Sequence, residues 1–306
     1  MLTRRAFLAG LSAPVLSAPM QGPILSPDIP TDGSCAMAFS GGVFHVERGW
    51  IMFYLANFNR VAYALSDDGL IWRKPTNNVI FEQGNLDSFS VAQEPSGRGW
   101  CMTASARSGG PLRLLTSPDG LTWQEQAVMP WAGDRTTLWW NPVKGCWTFN
   151  VRAGGGTGGD PRRIDRVESD SFIPKKWDIH RWLEAEPGDG PGDGGPAQLY
   201  ALDVVPDGRR LVGLFTIWRG IQEGRPKLND VCLGFSTDGG DTWQRQFQPV
   251  LTRSETPGAW NYGNVQSCSG GLVRLSPWHC RLYASGRDGT DGGNGRCSMG
   301  YRDILL

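Results

Sequence analysis

The chain has 306 residues, and its 30 basic and 30 acidic side chains balance to a formal net charge of zero. No block of like charges occurs, so neither a nucleic-acid-binding surface nor a basic membrane-binding face is expected, and a small neutral partner fits better. Glycine (42) and proline (21) are frequent, together with 14 Trp and 12 Phe. This composition is typical of turn-rich β-structure around an aromatic core.

Residues 1–20 predict an export signal. Arg4 and Arg5 precede an apolar run from Ala6 to Ala18, which is shorter than a bilayer-spanning helix and ends in small residues. The Thr-Arg-Arg-Ala-Phe-Leu core resembles a twin-arginine signal, and an ordinary secretory signal or an uncleaved anchor are the alternatives. We expect a periplasmic or secreted protein that has no membrane segment after cleavage.

One short motif occurs three times, each time after a strand-like run. Its copies are SDDGLIW (66–72), SPDGLTW (117–123) and STDGGDTW (236–243). The Ser and Asp side chains are expected to hydrogen-bond to the backbone of the turn, Gly supplies a positive φ, and Trp packs between sheets. We therefore expect Asp68, Asp119 and Asp238 to close turns and not to catalyse.

The spacing of these repeats predicts the fold. With an eroded copy at 169–177, the motif recurs every 50 to 70 residues or so, which is about the length of a four-stranded propeller blade. We expect an all-β protein, a single five-bladed β-propeller of four-stranded antiparallel blades within residues 21–306. The expected blades are 31–80, 86–130, 134–186, 196–252 and 258–306. A six-bladed fold would have to split the third or fourth unit.

Cysteine and histidine spacing excludes several kinds of site. The seven cysteines and three histidines show no zinc-ligand pattern, so no transition metal and no cofactor are expected. Cys268 and Cys280 are the best candidates for a disulfide across one hairpin, and burial of the cysteines as small apolar side chains is the alternative. A structural Ca²⁺ or Na⁺ in the central channel stays open, because oxygen ligands leave no sequence signature here.

The repeats resemble the Asp-box of sialidases and many other propellers. From about Asp32 to Asp303, the order of segments is similar to a family of five-bladed bacterial propellers related to glycoside hydrolase families 32 and 43. The segments that carry this resemblance are DGSCAMAFSGGVFHVERGWIMFY, RVAYALSDDGLIWRKP, RRIDRVESDSF, QLYALDVVPDGRRLVGLFTIW and PGAWNYGNV. Asn261 stands where relatives usually have Asp, which weakens a catalytic role for that position.

The resemblance implies a carbohydrate-active enzyme, in particular a glycoside hydrolase with paired carboxylates in its central funnel. Glycosidic cleavage needs one protonated carboxyl for the leaving oxygen and one carboxylate that activates water or attacks the sugar. Glu94-Pro95 takes the place of an Asp-Pro pair on the inner strand of blade 2. The candidate catalytic residues are Asp32, Glu94, Asp134 and Asp203, and Asp87 and Glu255 are further acids placed near the funnel by position.

An oligosaccharide or polysaccharide substrate also needs aromatic platforms and planar hydrogen-bond donors. The candidate binding residues are Arg107, Arg152, Arg163, Trp218, Trp260 and Tyr262, and two or more converging arginines would bind an acidic sugar. The alternatives are a non-catalytic carbohydrate-binding propeller, a sialidase-like enzyme, or a polysaccharide lyase with a Tyr or His base beside an arginine-bound uronate. The sialidase reading is weakened by the missing Arg-Ile-Pro signature, and the sequence does not indicate the oligomeric state.

Overall fold

The computed structural model describes residues 15–16, 19–47, 49–107, 109–155, 159–192, 195–222, 225, 227–289 and 295–306. Within these residues the chain is almost entirely β, with two short 3-10 turns at Pro30–Asp32 and Pro187–Asp189. None of the helical segments in this part of the chain has the length and apolar character of a membrane span. Five antiparallel sheets follow each other around a central axis, which confirms the predicted five-bladed propeller.

Four blades are built in chain order from the inner to the outer strand. Blade 1 consists of Ala36–Val46, Gly49–Ala56, Arg60–Ser66 and Val79–Glu82. Blade 2 consists of Leu86–Gln93, Trp100–Ala106, Gly110–Ser117 and Gln124–Ala132. Blade 3 consists of Thr137–Asn141, Cys146–Ala153, Arg163–Ser169 and His180–Leu183. Blade 4 consists of Gln198–Asp207, Arg210–Trp218, Asn229–Ser236 and Gln244–Arg245, after a small hairpin of Pro191–Gly192 and Gly195–Pro196.

Blade 5 combines both ends of the chain. Its strands are Asn264–Gln266 and Leu272–Arg274 at the inner position, then His279–Arg287 and Cys297–Leu305. Gln21–Leu25 and Val15–Leu16 both pair antiparallel with the last strand. An early segment of the chain therefore completes the expected blade 258–306 and covers a sheet edge that would otherwise stay unpaired. Arg4 and Arg5 of the expected export signal lie outside the described residues.

The three repeated turns have the hydrogen bonds that their sequence predicts. Ser66 Oγ donates to Asp68 Oδ1 at 3.0 Å. Asp68 Oδ1 also accepts the N–H groups of Leu70 and Ile71 at 2.8 Å each. The turn at Asp119 repeats this pattern. In the turn at Asp238, which is one residue longer, the carboxylate accepts the Ser236 hydroxyl and the N–H of Thr242. Each turn follows the third strand of its blade, so all three lie at the face where the inner strands end. The similarity of these turns to the sialidase Asp-box is still a resemblance of sequence motifs.

Candidate functional site

One face of the propeller gathers charged side chains from several blades. In each blade the inner strand begins where the antiparallel second strand ends, and we call the face where these ends meet the funnel face. Asp87 and Tyr200 lie near the start of the inner strands of blades 2 and 4, and Asp134 lies just before that of blade 3. Arg152 lies near the end of the second strand of blade 3. The fold therefore brings these four residues to the mouth of the central channel.

Asp87 and Tyr200 are both extra residues of β-bulges. The ladder between the first and second strands of blade 2 skips Asp87, and the corresponding ladder of blade 4 skips Tyr200. A bulged residue has no partner in the ladder and its side chain is re-aimed, and for this reason bulges are frequent beside active sites. The two bulges explain how side chains from the inner strands reach the funnel.

Asp87 is a partly buried carboxyl among charges of both signs. Its side chain is 18% exposed, and its Oδ1 lies 3.7 Å from Arg107 Nε. Burial raises the pKa of Asp87 and the negative charge of Asp134 adds to this, whereas Arg287, Lys227 and Arg107 offset only part of the increase. Asp87 is therefore held closer to its protonated form than a solvated aspartate.

Asp134 reaches the same site from the loop before blade 3. Its Oδ1 lies 3.0 Å from Arg152 Nε, and both side chains are mostly buried. Its backbone carbonyl accepts a hydrogen bond from Ser88 Oγ, which fixes the loop to the inner strand of blade 2. The charge of Asp134 acts on both Asp87 and Tyr200. The site thus contains two carboxyls in different environments, one near a carboxylate and one paired with a guanidinium.

Tyr200 is buried and surrounded by cations. Its ring centre lies 5.2 Å from the guanidinium of Arg152, 5.8 Å from that of Arg162 and 5.7 Å from Lys227 Nζ. Burial raises the pKa of the phenol, but Lys227, Arg152 and Arg287 together outweigh it, and the net pKa is lowered. The phenol is therefore more acidic than an ordinary tyrosine.

Asp203 lies deeper, in a closed polar network of the channel. It is fully buried and accepts a hydrogen bond from Ser267 Oγ at 2.6 Å and one from Arg135 at 3.5 Å. Arg135 is itself buried and also donates to the carbonyl of Ser267 at 2.8 Å. Burial raises the pKa of Asp203 despite these partners. The network holds Asp203 within the channel, and the described residues leave it no exposed surface at the funnel.

Asp32, expected as a catalytic residue of the funnel, is cut off from solvent just before the inner strand of blade 1. Its carboxylate is fully buried, 2.6 Å from Lys74 Nζ and 3.0 Å from the hydroxyl of Tyr54 on the second strand of blade 1. Asn78 Nδ2 donates to the same Tyr54 hydroxyl at 2.7 Å. These contacts hold Asp32 just before the inner strand of blade 1, on the funnel face but below its surface, where Lys74 and Tyr54 already occupy its oxygens.

Glu94 lies away from the other acids. It begins the hairpin after the inner strand of blade 2, where its N–H donates to the carbonyl of Gly99 at 2.8 Å. Asp87 lies at the opposite end of this strand, which places the two residues about 20 Å apart at the usual rise per residue. Glu255 forms an ion pair with Arg225 at 2.7 Å in the loop between blades 4 and 5. The structure therefore does not bring Glu94 to the funnel, contrary to the expectation from the sequence.

Of the expected binding arginines, Arg107 and Arg152 lie beside the funnel carboxyls and Arg163 does not. Arg163 pairs with Asp165 at 2.9 Å along the third strand of blade 3. Its neighbour Arg162 occupies the funnel instead, since its guanidinium lies 4.8 Å from the ring of Trp218. Trp218 is thus close to the cations that surround the phenol.

The other two aromatic candidates have partners of their own. Trp260 packs inside blade 5, where a Cβ on Gly300 would come within 2.3 Å of its ring. The ring of Tyr262 lies 4.4 Å from the guanidinium of Arg225, which also pairs with Glu255. Trp260 is therefore a packing residue, and Tyr262 covers a salt bridge in an inter-blade loop.

The opposite face contains a cavity of about 430 Å³ where the inner strands end. Its lining is mainly apolar and includes Trp139, Trp140 and Leu138. Its only titratable lining residues among those described are His45 and Arg274. Because it offers no carboxyl pair, this cavity does not supply the groups that acid–base chemistry on a sugar requires.

The cysteines do not form the expected bridge. All seven are buried and unbridged. Cys280 pairs with Arg274 in the ladder of blade 5, whereas Cys268 lies near the carbonyl of Tyr283, so the register separates the two thiols. Among the described residues, no cluster of three or more His, Cys, Asp or Glu side chains is arranged to hold a metal ion. A Ca²⁺ or Na⁺ in the channel stays a prediction.

Comparison with known proteins identifies the fold. No family model and no curated protein matches the chain. Among solved structures, an N-acetylgalactosamine deacetylase from F. plautii, in complex with blood group B trisaccharide, has a TM-score of 0.66 at 15% identity, covering 96% of each chain. A putative glycoside hydrolase from Bacteroides ovatus has a TM-score of 0.64 at 14% identity, covering 96% of this chain and 97% of that one. A thermostable family-43 glycoside hydrolase has a TM-score of 0.64 at 11% identity, covering 90% and 91%. At such identities the likeness shows the five-bladed propeller fold.

Proposed function

We propose that this protein is an exported carbohydrate-active enzyme, a glycoside hydrolase that uses Asp87 and Asp134 in the funnel. The observation that carries the proposal is the different environment of the two carboxyls. Burial and Asp134 raise the pKa of Asp87, while Asp134 itself pairs with Arg152. When the environments of two neighbouring carboxyls push their pKa values apart, the one with the higher pKa is assigned as the acid and the other as the base. The similarity to solved glycoside hydrolases supports this reading.

In the proposed reaction Asp87 donates its proton to the glycosidic oxygen as the bond to the sugar breaks. Asp134, in its carboxylate form, activates a water molecule or attacks the sugar carbon. Arg152 orients the Asp134 carboxylate through the 3.0 Å contact. Arg107, 3.7 Å from Asp87, stabilises the negative charge that remains on that residue after proton transfer. The proposed substrate is an oligosaccharide or polysaccharide, and the signal-like sequence of residues 1–20 supports periplasmic or secreted localisation.

The test is chromatographic detection of sugars released from a panel of polysaccharides by the wild type, Asp87→Asn and Asp134→Asn. Glu94→Gln is the matched control, because it removes a carboxylate at the other face of the same blade. We expect release by the wild type and the control, and a loss of at least about a hundredfold in each funnel variant. Equal release by all four proteins would contradict the assignment. Binding of a glycan without any release would favour a non-catalytic carbohydrate-binding propeller.

A second candidate, a polysaccharide lyase, is favoured by Tyr200. A lyase needs a base that removes a proton next to the carboxyl group of a uronate, and Lys227, Arg152 and Arg287 make this phenol more acidic than usual. The product distinguishes the two reactions. Hydrolysis adds one water to the products, whereas elimination leaves an unsaturated sugar that is lighter by one water. Retained cleavage in Tyr200→Phe would exclude Tyr200 as the base of a lyase.

A further inference from the structure

The funnel carries an excess of positive charge that the whole chain does not have. The chain is neutral overall, with equal numbers of acidic and basic residues. Around the two carboxyls Asp87 and Asp134, however, the described residues place four cationic side chains from three blades. They are Arg107, Arg152, Arg162 and Lys227.

Three of these cations converge on one spot. Arg152, Arg162 and Lys227 all lie within 6 Å of the ring centre of Tyr200. They come from different places in the chain: the second strand of blade 3, the loop that follows it, and the loop after the second strand of blade 4. Like charges repel, so their gathering at a mostly buried site costs folding free energy unless an anion joins them.

The carboxylates available for these three cations are too few. Arg152 pairs with Asp134, but no described carboxylate oxygen lies within 4 Å of Arg162 or Lys227. Arg162 donates to Gln198 Oε1 at 2.8 Å, and its buried Nε has no hydrogen-bond partner among the described residues. Burial and the charge of Arg152 lower the pKa of Arg162, which agrees with an unrelieved cation.

Arginines elsewhere on the same face are matched with acids. Arg163 pairs with Asp165, Arg219 with Asp230, and Arg225 with Glu255. Among these described arginines, the ones without a carboxylate partner lie around Tyr200 and Trp218, beside the two carboxyls.

We propose that the funnel binds an acidic glycan, whose carboxylate or sulfate group is held by Arg152, Arg162 and Lys227. This inference rests on the proposed function for the position of the reacting sugar. Guanidinium groups bind both kinds of anion through paired N–H donors, and Lys227 adds a point charge. Trp218, 4.8 Å from Arg162, offers an aromatic face next to the anion site for the sugar ring.

Binding is measured by calorimetry in the Asp87→Asn background, so that cleavage does not consume the glycan. Three matched probes are used: uronic acid oligosaccharides, the same oligosaccharides after reduction of their carboxyl groups to alcohols, and sulfated oligosaccharides. Lys227→Met removes one cation, Lys227→Arg keeps it, and Arg98→Met removes an exposed cation at the other face.

We expect at least one acidic probe to bind roughly tenfold or more tightly than the reduced one, and Lys227→Met to lose about tenfold. Lys227→Arg and Arg98→Met should stay close to the background affinity. The uronic and sulfated probes tell which anion is preferred. Equal binding of acidic and reduced probes, or no binding of any acidic probe, would overturn the inference. A funnel that binds acidic glycans in a wild type that cleaves none of them would contradict only the proposed hydrolase.

Discussion

Asp87 and Tyr200 occupy equivalent positions in blades 2 and 4, since each is the extra residue of a β-bulge near the start of an inner strand. The two blades thus present a carboxyl and a phenol to the same funnel, and Asp134 from the intervening blade acts electrostatically on both. Groups with perturbed pKa values in a cleft are typical of functional sites.

Asp87→Asn should leave the stability of the protein at neutral pH unchanged or increase it. Because the pKa of Asp87 is raised in the folded protein, ionisation of this residue disfavours the folded state. This cost is absent below the unfolded pKa and grows as pH rises through the folded pKa. Urea unfolding at pH 4 and pH 7 measures it. A variant that is clearly less stable than the wild type, and more so at pH 7, would show that the charged form is favoured.

Arg135→Met should destabilise the protein strongly, by about 3 to 5 kcal/mol, because it leaves the buried Asp203 carboxylate without its cation. Asp203→Leu combined with Arg135→Met should lose less, since neither charge then stays unpaired. Denaturant unfolding of the two variants gives the comparison. If the double variant is the less stable of the two, Asp203 stabilises the folded protein even without Arg135, through its hydrogen bonds from Ser267 and Ser269.

Asp238→Ala should weaken the fold without changing glycan cleavage. Although burial raises its pKa, hydrogen bonds from Thr242 and Ser236 lower it to about 2. The stabilisation from the charged form is present above the unfolded pKa of about 4 and fades as pH falls through the folded value. At neutral pH we expect a loss of about 1 kcal/mol for this mostly exposed turn. Reduced turnover by the folded variant would give Asp238 a role that its position does not suggest.

The cysteines should resist alkylation in the native protein. All seven are buried. For Cys268, for example, burial raises the thiol pKa, which lowers the fraction of reactive thiolate. Labelling with iodoacetamide, followed by mass spectrometry, should modify few sites in buffer and all seven in denaturant. A pair that stays unlabelled in denaturant until a reductant is added would reveal a disulfide. Cys35 and Cys297 would be the first pair to examine, because their backbones pair in an isolated β-bridge.

The fold was largely predictable because its repeats are local. The Ser, Asp, Gly and Trp of each turn interact within a few residues, so their spacing marks the blades. The closing strand Gln21–Leu25 was missed, since it is mostly exposed and lacks the apolar alternation of a typical strand. Its position depends on pairing with a strand about 275 residues later, which no local pattern encodes.

The site was predictable only in part, because a shift of one position along the chain changes the direction in which a side chain points. Arg162 lies in the funnel, whereas Arg163 turns to Asp165 on its own blade. The resemblance to a family pattern favours Glu94 over Asp87, but the strand runs from Asp87 at the funnel to the hairpin at Glu94. Lys227 and Tyr200 belong to the same blade, but they come close only when the loop after the second strand folds back to the start of the inner strand.

The most direct test of the proposed hydrolase is cleavage of a uronic acid polysaccharide in heavy-oxygen water, with product masses compared between the wild type and Asp87→Asn. Hydrolysis assisted by Asp87 predicts one heavy oxygen for each bond that the wild type breaks, and little product from the variant. Products that lack the added water, or equal yields from the two proteins, would contradict it.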